Sequence, residues 1–351
     1  MSRLRTLPRN TVLVGDVRER LRTLPAASVD TIICSPPYVQ LRDYGVEGQI
    51  GLEPTVDEWV ASMREVGREL ARVLKPTGSW FLNLGDSFSR DMKMGAPPKG
   101  LLLAPERLAL ALADDGWFLR NKVVWAKPNP MPNSVKDRLA CTWEVVYFLV
   151  RSPRYAFDLD AIRIPHRSAR TRGTDVALSS MTQESKTTQR PHWAGPLAGS
   201  NSGLAKLKAR GLAGHPLGKN PGDVWTIATS GFRGEHFATF PAQLVERPLL
   251  ATCPEKVCRD CGRPWMRSPA SVLGRLAVRG DIAPTCACRG PSAPGVVLDC
   301  FFGAGTVGLV AEQHGRDWLG IELNPAFAAL AEKRIIAARA TNNNKKVQRA
   351  A

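Results

Sequence analysis

The feature that most constrains the fold is a strand, turn, helix and strand pattern near the end of the chain. An apolar stretch at residues 296–298 leads into Asp299 and a glycine-rich turn, and a helical stretch follows through His314. A second apolar stretch at residues 318–321 ends in Glu322. Such glycines let the backbone approach a ligand, and an acid after the next strand accepts both hydroxyls of a ribose. The pattern predicts an α/β fold with an adenosine site. The absence of a full G-x-G-x-x-G motif and of a Walker lysine argues against NAD and ATP.

A second motif, Ser35-Pro36-Pro37-Tyr38, follows an apolar run at residues 31–34. Two prolines fix the backbone and restrict the residues before them, so we expect a strand to end here in a rigid, extended turn. The Ser35 hydroxyl and the Pro36 carbonyl can then accept hydrogen bonds from an exocyclic amine, and Tyr38 offers a flat face to a base. For these four residues alone, an ordinary turn that ends a strand is the competing interpretation.

Together, the two motifs resemble those of the β-class DNA amino-methyltransferases, a circularly permuted group in which the catalytic motif precedes the cofactor motif. The similarity extends over nearly the whole chain. It implies a Rossmann-like α/β sheet of the S-adenosylmethionine-dependent methyltransferases, in which the catalytic and cofactor strands are neighbours. It also implies that the target base leaves the duplex stack before its amine is methylated.

The resemblance assigns site residues by their positions in the matching motifs. The catalytic residues are Ser35, Pro36, Pro37 and Tyr38. The cofactor-binding residues are Asp16, Thr239, Phe240, Asp299, Phe301, Gly303, Gly305, Thr306 and Glu322. Asp16 falls where the family contacts adenine, and Thr239 falls where it faces the methionine end of the cofactor.

Ser35 carries the choice of base. Family members with Ser-Pro-Pro-Tyr mostly methylate cytosine N4, and those with Asp-Pro-Pro-Tyr mostly methylate adenine N6, with exceptions in both directions. The favoured hypothesis is therefore a site-specific cytosine-N4 DNA methyltransferase. Adenine-N6 methylation, a non-catalytic zinc-bearing DNA-binding protein and an RNA or protein substrate are the alternatives.

The charge of the chain favours double-stranded DNA as a partner. It has 48 Lys and Arg against 32 Asp and Glu, a net charge of +16, and such a surface attracts phosphate. Between Arg163 and Lys219 there are ten basic residues and two acidic ones. We assign the target-recognition region to residues 165–220, with its arginines and Gln183, Gln189 and Asn201 as candidate readers of base edges. A solvated basic linker is the competing interpretation.

The expected domain organisation follows the order of these motifs. It comprises a catalytic half (1–164), the target-recognition region (165–220), a return to the methyltransferase domain (221–252), a zinc-knuckle insertion (253–290), the S-adenosylmethionine-binding half (291–340) and a basic tail expected to fray (341–351).

Four of the eight cysteines form two close pairs, of which the first has the spacing of a zinc knuckle and the second, C-x-C, is a less usual spacing. They are Cys258, Cys261, Cys286 and Cys288. In the first pair, a turn lets both sulfurs face one metal, and Gly262 is expected to take a strained backbone position. A structural Zn2+ is therefore predicted, with reduced thiols as the main alternative and Cys253 as an alternative ligand. The module is expected either to brace the DNA cleft or to close a long loop.

The remaining cysteines Cys34, Cys141 and Cys300 are interpreted as small core residues. None lies in the pattern of a C5-methyltransferase, so covalent attack on the base ring is disfavoured. Neither a signal peptide nor a membrane span is recognisable, and the predicted location is the cytoplasm of a bacterium or a phage host. A homodimer and a cognate restriction endonuclease are possible partners.

Overall fold

The computed structural model describes residues 6–165, 215, 217–229, 239–273 and 276–350. The strands in these ranges are β1 Thr11–Val14, β2 Val29–Cys34, β3 Leu74–Leu84, β4 Phe118–Ala126, β5 Trp143–Val150, β6 Val224–Thr226, β7 Val257–Cys258, β8 Trp265–Arg267, β9 Ser271–Leu273, β10 Leu276–Val278, β11 Ile282–Pro284, β12 Ser292–Ala293, β13 Val296–Asp299 and β14 Asp317–Glu322. The α-helices are α1 Val17–Thr23, α2 Val56–Val73, α3 Ala104–Asp114, α4 Leu159–Ile162, α5 Ala242–Thr252, α6 Thr306–Gln313 and α7 Pro325–Ala350. A short 3-10 helix spans Met92–Met94.

Eight strands form one sheet in the order β1, β14, β13, β2, β3, β5, β4, β6. β13 is parallel to both of its neighbours, with Leu298 opposite Leu319 of β14 on one side and Ile32 of β2 on the other. The strand that leads into the glycine turn is therefore the direct neighbour of the strand that leads into Ser35. This adjacency was predicted, although the two strands lie at opposite ends of the chain.

One edge of the sheet collects the loops that carry the motifs. β14, β13, β2 and β3 are parallel, so their carboxyl ends share this edge. β5 is antiparallel to β3 and to β4, so β4 also ends at this edge and β5 begins there. The loops 35–55, 85–103 and 127–142 therefore all emerge at this carboxyl edge, where ligands of open α/β sheets bind.

Helices cover both faces of the sheet. Trp80 belongs to the core on one face and the next residue, Phe81, belongs to the core on the other, as expected for a strand. Helices α1, α2 and α3 pack on the first face, and α5, α6 and α7 pack on the second. β2 and β13 are consequently buried along their whole length, which is typical of central parallel strands. The predicted α/β fold with a central sheet is confirmed.

Helix α2 illustrates how local sequence sets these elements. It begins with a capping box, in which Thr55 Oγ1 accepts a hydrogen bond from the Glu58 N–H and the Glu58 carboxylate accepts one from the Thr55 N–H, both at 3.1 Å. Trp59, Met63 and Leu70 lie on one face of the helix and are fully buried. This packing holds Trp59 beneath the loop that follows β2.

The chain divides into two compact units. The larger contains the sheet, and the smaller comprises Leu159–Pro221 and Arg267–Ala283. In the smaller unit, Ile164 and Lys219 exchange two backbone hydrogen bonds of 2.9 Å, and β9 pairs antiparallel with β10. Most of the predicted target-recognition region, residues 166–214 and 216, lies outside the described residues, as do Gln183, Gln189 and Asn201.

One expectation about the chain is corrected. Cys141 is exposed and lies in a loop, because the pairing of β5 begins only at Trp143 opposite Ala126. The basic tail is the end of a helix, since α7 continues to Ala350 and no glycine or proline after Pro325 interrupts it. Among the described residues, no helix has both the length and the apolar character needed to cross a membrane.

Candidate active site

A pocket opens at the carboxyl edge, where the loops after β1, β2, β13 and β14 meet. It encloses about 910 Å³ of space, part of it open to solvent. Nine of the thirteen residues predicted to be catalytic or cofactor-binding line it, and these are Asp16, Ser35, Pro37, Thr239, Phe240, Phe301, Gly303, Thr306 and Glu322. Pro36, Tyr38, Asp299 and Gly305 do not line it but adjoin lining residues in the sequence.

Glycines shape the turn between β13 and α6. Gly303 and Gly305 have φ angles of +48° and +74°, a left-handed conformation that residues with a Cβ rarely adopt. Gly305 is the N-cap of α6, and no described side chain caps this helix. Thr306, the first residue of α6, lines the pocket, and the uncapped N-terminus of a helix can stabilise an anionic group such as a carboxylate.

The turn is held against the sheet by an aromatic contact. The Phe302 ring stacks on Trp318, with ring centroids 5.2 Å apart. A Cβ on Gly320 would lie 2.5 Å from Cγ of Phe302, closer than atoms can approach. Gly320 is therefore the residue in β14 that makes room for Phe302 and sets the position of the glycine turn.

Glu322 ends β14 with its carboxylate at the pocket. Its Oε2 accepts a hydrogen bond from the Gly303 N–H at 2.7 Å, and its Oε1 accepts one from the Asn324 N–H at 2.9 Å. Burial raises the pKa of Glu322, and these backbone donors act against that shift. A carboxylate has about four acceptor positions, so Glu322 retains the capacity to accept both hydroxyls of a ribose.

Asp16 is fixed at the wall of the pocket as the N-cap of α1. Its Oδ1 accepts hydrogen bonds from the backbone N–H groups of Arg18 at 2.8 Å and of Glu19 at 3.3 Å. The Arg18 guanidinium also donates to Oδ2 at 2.8 Å. Burial favours the neutral carboxyl, but the bonds from Arg18 and Glu19 outweigh it and lower the pKa of Asp16. The side chain is therefore an ionised hydrogen-bond acceptor.

Two aromatic residues in the pocket were missed from the sequence. The rings of Tyr44 and Phe327 are perpendicular, with centroids 6.3 Å apart. The Tyr44 N–H donates to Gln49 Oε1, and Gln49 Nε2 donates to the Arg42 carbonyl, both at 2.8 Å, which holds this loop over the pocket. The sequence signal for Phe327 was its position, because it is an aromatic residue in the first turn of the helix after Glu322. Such rings provide apolar faces for an adenine.

The pocket thus fits an adenosine joined to an amino acid. The N-terminus of α6 offers a site for a carboxylate, Glu322 offers acceptors for a ribose, and Tyr44 and Phe327 offer faces for a base. These groups lie in one cavity with Ser35 and Pro37.

The loop after β2 is held by three contacts. The Pro37 carbonyl accepts a hydrogen bond from Trp59 Nε1 at 3.0 Å. The Tyr38 hydroxyl lies 3.3 Å from Ser35 Oγ and donates to Glu144 Oε2 at 2.8 Å. Among the described residues, none donates a hydrogen bond to the Pro36 carbonyl. The loop therefore leaves the Ser35 hydroxyl and the Pro36 carbonyl as acceptors, while the Pro37 carbonyl and the Tyr38 hydroxyl are engaged.

Glu144, at the start of β5, is a second feature that sequence reasoning missed. Its Oε2 also accepts a hydrogen bond from Asn83 Nδ2 at 3.0 Å, and its Oε1 forms an ion pair with Lys127 Nζ. Burial and the Glu144 carboxylate raise the pKa of Tyr38 well above its usual value. The Tyr38 hydroxyl consequently stays protonated and acts as a donor, which orients its ring.

Asp299 lies beneath the glycine turn and is almost fully buried, with 1% of its surface exposed. Its Oδ1 accepts a hydrogen bond from the Phe301 N–H at 3.0 Å. Burial raises the pKa of Asp299 to about 8, with a smaller contribution from the Glu322 carboxylate. Asp299 is thus a neutral carboxyl over much of the physiological pH range.

The four predicted zinc ligands come together. The Sγ atoms of Cys258, Cys261, Cys286 and Cys288 all lie within 4.8 Å of one another. Tetrahedral Zn2+ with Zn–S bonds of about 2.3 Å places its sulfurs about 3.8 Å apart, so the cluster fits a structural zinc. Gly262 has a φ of +71°, the strained position expected of it. Cys253 is buried at the end of α5 and lies outside this cluster of described residues.

The cysteine cluster lies at the amino-terminal edge of the sheet, away from the pocket. β7, which contains Cys258, pairs with β12, which leads directly into β13. A Cβ on Gly262 would lie 3.7 Å from Cε of Lys75, a residue near the start of β3. Lys75 Nζ in turn donates to Asp30, near the start of β2, at 2.7 Å. The cluster therefore closes a long loop against this edge.

Comparisons with known proteins agree over most of the chain. The family model N6_N4_Mtase, described as DNA methylase, matches residues 29–333. The type II methyltransferase M.XycI of Xanthomonas campestris pv. cyanopsidis is 32% identical over an alignment that covers 93% of this chain and 87% of the relative. M.SmaI of Serratia marcescens is 30% identical, with 93% and 90% covered.

A solved structure shares the fold. The PvuII DNA methyltransferase, described as cytosine-N4-specific, has a TM-score of 0.55 and 18% identity, with 95% of this chain and 92% of that chain covered. The family model spans both the loop after β2 and the glycine turn. The chain therefore belongs to the N6/N4 family of DNA methylases and is a DNA methyltransferase.

Proposed function

We propose that this enzyme transfers a methyl group from S-adenosylmethionine to the N4 amine of a cytosine that has flipped out of duplex DNA, at a specific sequence. The observation that carries the proposal is the single pocket lined by Ser35 and Pro37 of the loop after β2 and by Phe301 and Gly303 of the glycine turn. A methyl group moves only between atoms in contact, so the donor and acceptor sites must share a cavity.

The residue Ser35 supports cytosine over adenine. A hydroxyl at this position resembles family members that act on cytosine N4, whereas a carboxylate resembles those that act on adenine N6. The PvuII methyltransferase, which shares the fold, is described as cytosine-N4-specific. Adenine N6 is the alternative acceptor.

The residues of the chain orient the acceptor amine. S-adenosylmethionine, when bound, supplies a methyl group already activated on a sulfonium. The Ser35 hydroxyl and the Pro36 carbonyl accept hydrogen bonds from the two amine hydrogens, and Tyr38 flanks the base. With S-adenosylmethionine bound, the amine lone pair would form the new N–C bond as the S–C bond breaks, and the sulfur would keep the electron pair. The amine then releases one proton to water. No strong base is required, because methylation makes the amine more acidic.

Mass spectrometry of nucleosides tests the proposal. Unmethylated DNA is incubated with the purified protein and S-adenosylmethionine labelled in its methyl group, and we expect labelled N4-methylcytosine. Ser35→Ala should abolish transfer, and Ser28→Ala is the matched control, because the Ser28 hydroxyl donates to the Pro25 carbonyl in the turn before β2.

Each other outcome of this assay has a distinct meaning. Labelled N6-methyladenine without N4-methylcytosine would replace cytosine with adenine as the acceptor. A protein that neither binds S-adenosylmethionine nor labels DNA would instead be a non-catalytic zinc-bearing DNA-binding protein.

The order of the motifs supports a circularly permuted β-class enzyme with the domain boundaries predicted above. We infer that residues 165–220 read the target sequence, and that Cys258, Cys261, Cys286 and Cys288 bind a structural Zn2+, an inference supported by their mutual proximity. The relatives are type II methyltransferases, which supports a cognate restriction endonuclease. Protection of host DNA against such an endonuclease tests that partner, and light scattering in solution tests a homodimer.

A further inference from the structure

Exposed apolar side chains are concentrated at the carboxyl edge of the sheet. Among the described residues, fifteen large apolar side chains are exposed. Nine of them lie in the loops 35–55, 85–103 and 127–142 or at the first residue of β5, and these are Leu41, Leu52, Met92, Leu101, Leu103, Met131, Val135, Leu139 and Trp143. The concentration of these side chains on three loops at one edge points to an interaction site.

The 127–142 loop is the most exposed of the three, and it is anchored at its start. Lys127 forms an ion pair with Glu144, which binds the Tyr38 hydroxyl. Two residues later, Asn129 Oδ1 accepts a hydrogen bond from the Thr229 N–H at 2.8 Å. The beginning of the loop is thus connected to the catalytic loop through one side chain.

The far end of the loop is anchored as well. The Arg138 guanidinium lies 3.9 Å from the centroid of the Phe88 ring and donates to the Leu139 carbonyl at 3.0 Å. Lys99 pairs with Asp137 at 2.8 Å. Arg138 and Cys141 line a cavity with Gln40 and its neighbours, directly after the catalytic loop. The backbone at Leu139 is therefore held in place, yet its side chain is 91% exposed.

We propose that the 127–142 loop contacts the duplex and that the Leu139 side chain enters the base stack at the gap left by the flipped target base. This inference rests on the proposed function. The loop carries Lys136 and Arg138, and its one acid, Asp137, is paired with Lys99, so its charge complements phosphate. Proteins that kink or open DNA insert apolar wedges such as leucine between base steps.

Leu139 is better placed for this role than Met131. Met131 is 88% exposed, but methionine has three rotatable side-chain bonds and is flexible. Leu139 directly follows an arginine that is stacked on an aromatic ring. A wedge must be preorganised to stabilise an opened stack, because ordering a free side chain on binding costs conformational entropy.

Steady-state methylation of two duplexes tests the inference. The target site is first mapped by sequencing DNA from cells that express the protein. One duplex then carries the normal partner of the target base, and the other carries an abasic site opposite it, which lowers the cost of flipping. Leu139→Ala is compared with the wild type and with Leu110→Ala, which truncates a leucine on α3 that is 70% exposed.

We expect Leu139→Ala to lower kcat/KM on the paired duplex by about 10- to 100-fold, the effect of losing one buried leucine contact in the transition state. On the abasic duplex it should be within about threefold of the wild type. Leu110→Ala should match the wild type on both duplexes. Thermal melting verifies that both variants are folded.

Two results would overturn the inference and leave the proposed function intact. The first is equal activity of Leu139→Ala and the wild type on the paired duplex. The second is an equal loss on both duplexes, which would indicate a general DNA contact. A wild-type protein that methylates neither duplex would overturn the proposed function itself.

Discussion

Replacement of Asp299 by asparagine should remove a pH-dependent cost to stability. Asp299 is almost fully buried at the end of β13, and its pKa is raised from its usual 3.8 to about 8. The folded protein therefore keeps this proton at pH values where the unfolded chain has lost it. Asparagine has nearly the same shape, and its Oδ1 can still accept the hydrogen bond from the Phe301 N–H.

The sign and size of the effect follow from these two pKa values. The stability that the neutral Asp299 carboxyl contributes is fully present below about pH 4. It falls as the pH rises, because the carboxyl then ionises in the unfolded chain but not in the folded protein. The loss continues until the folded carboxyl ionises near its pKa of about 8. Between pH 5 and pH 7 the loss is about 2.5 kcal/mol, at about 1.36 kcal/mol per pH unit.

Urea denaturation without cofactor at pH 5, 6, 7, 8 and 9 measures this effect. The free energy of unfolding of the wild type is subtracted from that of Asp299→Asn at each pH, which cancels the titrating groups that do not interact with Asp299. We expect the difference to grow by about 2.5 kcal/mol from pH 5 to pH 7 and to level off above pH 8. A difference that changes by less than about 0.5 kcal/mol over that range would refute the assignment of a neutral, buried carboxyl.

Three further predictions concern the catalytic loop and the cysteine cluster. A Cβ on Gly85 would lie 2.6 Å from Cε2 of Tyr38, so Gly85→Ala should lower kcat about tenfold. The affinity of the Gly85→Ala variant for S-adenosylmethionine, measured by calorimetry, should be unchanged. A normal kcat would contradict the proposed role of the Tyr38 ring beside the target base. Glu144→Gln removes the ion pair between Glu144 and Lys127, two side chains that are each 17% exposed. Because the pair is largely buried, its loss should lower the free energy of unfolding by about 1–2 kcal/mol. An unchanged urea midpoint would count against the ion pair. Metal analysis should find one Zn2+ per chain, and a chelator should remove it and lower Tm. A chain without metal, or with unchanged Tm, would exclude a structural zinc.

Much of the candidate site was predictable because its geometry is local. The prolines after Ser35 restrict their own φ angles, and glycine supplies the left-handed conformation observed at Gly303 and Gly305. The trailing Gly262 likewise marked the turn of the first cysteine pair. Backbone constraints of this kind act over a few residues, so the sequence records them directly.

Other parts of the site could not be predicted because they depend on distant residues. Glu144 reaches Tyr38 from a strand that lies 106 residues further along the chain. Tyr44 and Phe327 meet from loops at opposite ends of the chain. No local pattern distinguishes such residues from ordinary members of a strand, a loop or a helix.

By itself, the sequence determined the family motifs, the α/β class and the adjacency of the catalytic and cofactor strands. The adjacency followed because a methyl donor and its acceptor must touch. Only the tertiary structure decided that Glu144 orients Tyr38, that the cysteine cluster closes a loop at the amino-terminal edge, and that Leu139 is exposed in a loop whose Arg138 and Cys141 line a cavity with Gln40. The reason is physical, since strand order and register decide which distant side chains share an edge of the sheet.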